Sequence, residues 1–182
     1  MKKLIALLLA LTMVAAMAAG CTSGKGEADD KTNEKTPIAD SLETVVNTII
    51  EKNPVEFMGG QIPVDLADTS EDGLWAVKYN TGLSSAEKLS DIYVYEPMMG
   101  SIAFSMVLVR LNDAADAQSV AQEMSDNIDT RKWICVEANE KIVVGYCDVV
   151  MLIMLDSNTG MSAQSFVDAF QEVCGGELDF TI

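Results

Sequence analysis

Histidine is absent from the 182 residues, and Lys and Arg together number only 12 against 28 Asp and Glu. Without imidazole the commonest general base is missing, along with the Ser-His-Asp and Cys-His nucleophile arrangements and most zinc and transition-metal sites. An enzyme built from this chain would have to work with carboxylates, lysine, tyrosine or thiols. The formal net charge of −16 also leaves little basic surface, through which nucleic acids and anionic headgroups are bound. No nucleic-acid partner is expected. No Gly-rich phosphate loop is present, and no cofactor or metal is expected. Beyond residue 19 no apolar run approaches the ~20 residues of a spanning helix. The runs around Val107 and Leu152 are both interrupted too soon.

What is present begins at the first residue. Lys2 and Lys3 precede a weakly polar to apolar run from Leu4 to Ala19, then Gly20 and Cys21. A positive start, an apolar stretch and a small-residue end make a secretory signal rather than a spanning segment. Ala18, Ala19, Gly20 and Cys21 resemble the lipobox of bacterial lipoproteins. That resemblance implies cleavage between Gly20 and Cys21, and a diacylglycerol with palmitate-type chains on the Cys21 sulfur. Two long acyl chains hold a protein on a membrane where one is marginal. The expected location is therefore the extracytoplasmic face of the cell membrane, lipid-anchored in the envelope.

Removing residues 1–20, which carry two lysines, leaves 162 residues at a formal charge of −18. That length supports one hydrophobic core. Residues 21–37 form the lipidated cysteine and a polar tether, because Thr22 to Thr36 hold no aliphatic residue larger than Ala28. About 15 such residues reach roughly 20 Å, enough to lift a domain off the headgroups. Residues 38–182 are expected to form a single globular domain. Cys135, Cys147 and Cys174 remain, an odd number among apolar neighbours. They read as buried small hydrophobes, although one disulfide and one free thiol is an alternative.

Within that domain, Asp40 and Glu43 have capping-box spacing ahead of Leu42, Val45, Val46, Ile49 and Ile50, and Pro54 closes the helix. Residues 55–69 read as irregular chain. Ser70 opens a second helix to about Lys78, and Ser84 or Ser85 caps a further turn through Leu89. The period then becomes two: Asp91–Glu96 is a strand, Pro97–Gly100 a turn, and Ser101–Leu111 a longer strand apolar on both faces. Asp113 caps a helix to about Thr130. Ile134–Glu137 reads as a short strand, and Lys141–Val144 with Asp148–Leu155 as a hairpin around Gly145 and Tyr146. A last helix runs from Ser162 to Gly175 and Gly176. These elements predict an α+β fold: a four-stranded, mostly antiparallel sheet with helices packed on one face. One or two helices precede a ββα-ββα arrangement.

The order and texture of residues 40–174, with Tyr95, Glu96, Pro97, Met98 and Met99 running into an apolar strand, resemble a family of small lipoproteins from Gram-positive anaerobes. Their domain has no assigned function, so the resemblance implies no catalytic residues. Among candidate sites, Met98 and Met99 lie in a turn and could face a ligand or partner, although methionine more often fills core gaps. Asp156 to Gly160 begins like a calcium loop, but Val167 stands where the bidentate Glu is needed, so a hydrogen-bonded turn is expected. Glu87, Asp91 and Glu96 flank one strand, but carboxylates are too many and too spread along the chain for the sequence to single out the pair that glycoside hydrolysis needs. The function expected is a membrane-anchored envelope lipoprotein with a non-enzymatic domain that binds an envelope protein or small ligand. A carboxylate-dependent cell-envelope hydrolase is the alternative.

Overall fold

The computed structural model describes residues 35–182; the signal, Gly20, Cys21 and the tether up to residue 34 lie outside the described residues. Helix α1 (Leu42–Lys52) is capped by Ser41, whose hydroxyl accepts the Thr44 N–H, one residue later than the Asp40 spacing suggested. Strand β1 (Gly59–Ile62) follows, then helix α2 (Glu71–Thr81), whose Ser70 cap accepts the Gly73 N–H. Strands β2 (Leu89–Pro97) and β3 (Phe104–Leu111) form a hairpin. A 3-10 turn over Ala114–Asp116 leads into helix α3 (Ala117–Asn127). Strands β4 (Glu140–Tyr146) and β5 (Val149–Leu155), helix α4 (Ala163–Cys174) and strand β6 (Phe180–Thr181) complete the chain.

The sheet has six strands rather than four, in the order β1-β2-β3-β5-β4-β6, with every neighbouring pair antiparallel. The two additional strands are the edges. Strand β1 reads Gly-Gly-Gln-Ile and offers no apolar alternation to announce it. Strand β6 exists because Gly145, opposite Phe180, has no Cβ: one built there would lie 2.1 Å from the Phe180 ring. The turn of the β4–β5 hairpin is Cys147–Asp148, two residues beyond the expected Gly145 and Tyr146. Cys147 takes φ 51, a left-handed conformation. Its N–H donates to Asp179 Oδ2 at 2.6 Å, and Asp179 in turn holds Lys35.

Helices cover both faces of the sheet, not one. Strand β5 is buried at every position and β3 at every position but Arg110, which only two covering layers allow. On one face α1 and α4 pack over Tyr93, Phe104, Met106, Leu108, Met151 and Ile153. On the other, α2 and α3 pack over Ile92, Val94, Val107, Val109, Leu152 and Met154. The reason lies in the connections. Strands β3 and β4 are parallel with β5 between them, and β5 and β6 are parallel with β4 between them. Crossovers between parallel strands keep one hand. Because β3 and β5 run in opposite directions while both crossovers step the same way along the sheet, α3 and α4 must fall on opposite faces.

Two shorter expectations also change. Residues 84–88 form bends and turns rather than a helical turn, with Leu89 already in β2, and residues 134–137 form no strand. Cys135 is exposed, so the buried role expected for it does not hold; Cys147 and Cys174 are half-buried and pack against the α1/α4 layer. Among the described residues, no helix is long and apolar enough to cross a membrane.

Candidate interaction surface

The turn between β2 and β3 carries Met98 and Met99, which are 72% and 65% exposed. The other exposed large apolar side chains among the described residues are Met58, Leu74, Trp75 and Ile134, the last wholly exposed. They stand on segments that converge. Met98 N–H donates to Met58 C=O at 2.9 Å, which joins the start of β1 to the end of β2. Trp75 stacks on Tyr79 with ring centroids 4.7 Å apart, and Tyr79 Oη donates to the Lys132 carbonyl at 3.1 Å, two residues from Ile134.

The convergence point is a buried ion pair between Lys132 and Glu96. The Lys132 side chain is 1% exposed. Its ammonium has three donors, and three acceptors surround it: the Glu96 carboxylate, with Asn80 Oδ1 and Ser105 Oγ each at 3.4 Å. Asn80 Nδ2 donates to the Ala76 carbonyl at 2.8 Å, which turns its oxygen toward the lysine. The rings of Tyr79 and Trp133 lie 4.8 and 5.7 Å from Nζ. Burial pushes the Lys132 pKa below the ordinary lysine value, and the Glu96 charge and hydrogen bond act in the opposite direction. Burial likewise raises the Tyr79 phenol, helped by Glu96 and Asp129, so it remains a donor. Lys132 is the sole partner of Glu96 Oε1 among the described residues.

With its donors committed and almost no exposure, this lysine is not presented as a nucleophile. A buried pair of this kind fixes geometry, since removing one partner strands the other charge. Here it ties the end of β2, the last turns of α2 and the loop over residues 128–138 together. Met98 and Met99 follow the end of β2, Leu74 and Trp75 lie earlier on α2, Ile134 is in the loop, and Met58 joins the group through its hydrogen bond with Met98. The sequence marked Met98 and Met99 but not this pair. The one available signal was Glu96, which shares the parity of Ile92 and Val94 on β2 and so had to face their core.

Of the three carboxylates that flank β2, Asp91 and Glu96 are not brought together. Glu96 faces inward against Lys132, whereas Asp91 is exposed, of opposite parity, and accepts the Ile92 N–H. Five residues of strand separate Asp91 and Glu96 by about 16 Å, well beyond the ~5–10 Å of a glycosidase pair. Ser85 and Lys88 have a Ser-x-x-Lys spacing that reading the sequence missed. The Lys88 ammonium, however, is engaged by Asp116 at 2.7 Å and Ser119 at 3.3 Å. Asp156 heads a hydrogen-bonded turn: its Oδ1 accepts from the Asn158 N–H and Nδ2 and from Asn139 Nδ2. No group of three His, Cys, Asp or Glu among the described residues is placed to hold a metal.

Charge sets the character of the surface around the methionines. Residues 1–34 hold four cations and four acids, so residues 35–182 keep eight against 24, a net −16. Six of those eight cations are in ion pairs. From residue 53 to 77 there is no Lys or Arg, only Glu56, Asp65, Asp68, Glu71 and Asp72. The segments that carry Met58, Leu74 and Trp75 are thus anionic wherever they are charged. No protein-family model, curated protein or solved structure compared with this chain matches it.

Proposed function

We propose that the chain is an envelope lipoprotein, held on the extracytoplasmic face of the cell membrane by lipid on Cys21, whose domain docks a protein partner and performs no chemistry. The observation that carries the reading is the gathering of exposed large apolar side chains on segments pinned by one buried ion pair. Soluble proteins rarely leave such groups together on their surface without a use for them. Methionine suits a docking role because its unbranched, polarisable side chain repacks against different contours. The net charge of −16 favours a partner with an apolar centre and a cationic rim.

Two measurements test the two halves of the proposal. The mass of the native protein is expected to correspond to a chain beginning at Cys21 and carrying a diacylglycerol; a chain still beginning at Met1 would overturn the anchor. In gentle detergent, the native protein is expected to elute as a complex that Met98→Asp with Met99→Asp reduces to a monomer. A wild-type protein that elutes as a monomer would overturn the docking role.

A further inference from the structure

We propose a second binding site, across the sheet from the methionine surface, for a small organic ammonium with an apolar body about the size of one aromatic ring. A cavity of about 450 Å³ opens between the Pro54–Phe57 segment and the turn at Thr159–Met161, with Ile102 as its third wall. That volume lies in the range of small-molecule sites. Its apolar walls Phe57, Ile102 and Met161 belong to the α1/α4 layer. They are stiffened from behind, since the Phe57 ring lies 5.1 Å from Phe104, which in turn lies 5.2 Å from Phe166.

The polar lining decides what can enter. Its side chains offer no uncommitted donor: the polar ones are Glu56 and Thr159. Glu56 forms no ion pair with any described residue. The Thr159 hydroxyl donates to the Asp156 carbonyl at 2.6 Å, which leaves its lone pairs to accept. The N–H groups of Thr159 and Gly160 are spent on Asp156 and Ser157 at 3.1 and 3.0 Å. A carboxylate or phosphate ligand would meet the like charge of Glu56 here, whereas an ammonium brings the opposite charge and donors for the Glu56 carboxylate and the Thr159 hydroxyl.

Gly160 keeps the mouth open. It adopts φ 85, which favours glycine, and a Cβ there would meet no atom within 4 Å. The strongly negative domain raises the local concentration of cations in the same direction. This site shares no residue with Met98, Met99 or the Lys132–Glu96 pair, so it stands or falls apart from the docking role.

The test is titration of the mature protein in detergent with phenethylammonium, the anion 3-phenylpropionate with the same phenethyl body, and the neutral isostere phenethyl alcohol, followed by calorimetry and by NMR of the Phe57, Ile102 and Met161 side chains. Phenethylammonium is expected to bind near ~1 mM and to shift those three residues. The anion is expected to bind at least about tenfold more weakly, the loss of one charge-assisted contact. Glu56→Gln, an exposed change that leaves the core intact, is expected to weaken the cation by about fivefold to tenfold without changing the alcohol. Equal binding of cation and anion, no response to Glu56→Gln, or no shift at Phe57 and Met161 would each overturn the proposal.

Discussion

The two helical layers use the same sheet in different ways. Under α1 and α4 every fully buried sheet side chain is apolar or aromatic, with Phe57, Tyr95, Phe104 and Phe166 in one chain of ring contacts, while the partly exposed Arg110 and Glu140 at the ends of that face hold the Ile38 and Asp40 carbonyls and the Ala163 N–H. Under α2 and α3 lie all four buried polar side chains, Asn80, Thr81, Glu96 and Ser105, together with Lys132. The second layer also holds Leu74 and Trp75 outward on α2, and Met58 and Met98 extend the same sheet face. A layer whose interior is apolar needs little beyond shape complementarity to be stable. A layer that buries a charge pair while leaving apolar groups in water sacrifices stability, and such departures concentrate where a protein works. The comparison assigns the scaffold to one side of the sheet and the docking surface to the other.

The largest test of that division is how each layer responds to losing one side chain. Phe104→Ala is expected to cost about 3–5 kcal/mol, as for any fully buried aromatic, with no second substitution that restores it. Lys132→Met is expected to cost a similar ~3–5 kcal/mol by stranding Glu96, and most of that should return in Lys132→Met with Glu96→Leu. Urea titration of the four proteins reads both effects. Failure of the double variant to recover would mean that the pair is not the hinge of the second layer.

Smaller effects sharpen the contrast. Ser70→Ala removes the cap of α2 and is expected to cost about 1 kcal/mol, loosening Trp75 and Tyr79 in hydrogen exchange before any residue of α4. Burial raises the Cys174 thiol from 9.0 to about 12, with the nearby Cys147 adding to it. A raised thiol favours the folded state below the unfolded value, so that contribution is complete below about pH 9 and is lost as pH rises toward 12. Cys174→Ala should flatten the alkaline fall in Tm, and Cys135 should react with iodoacetamide well before Cys174. The smallest change in stability is expected for Met98→Asp with Met99→Asp, within about 0.5 kcal/mol of wild type, even though it abolishes docking.

Much of the scaffold was legible because local signals were strong. Ser70 before α2, the apolar stripe and terminal glycines of α4, and the alternating runs of β2 and β3 each carry their own physics. Strand β3 also held an inference left undrawn in the sequence: apolar residues on both faces already require two covering layers. The edge strands were hidden for opposite reasons, β1 because two glycines erase its pattern, and β6 because it depends on an absent side chain at Gly145. Segment 134–137 looked like a strand from Ile134, Cys135 and Val136, yet Ile134 points wholly into solvent. The Lys132–Glu96 pair joins residues 36 apart in sequence, and no local spacing marks such a contact. Met98 and Met99 stood out because a turn leaves few ways to bury two large side chains.

The division between scaffold and working face is tested most directly by placing a photo-crosslinking residue at position 98 and, in a separate protein, at position 168 on the outer side of α4, in intact cells. The account predicts one discrete adduct from position 98 and none from position 168. Adducts of equal yield from both positions, or none from position 98, would contradict it.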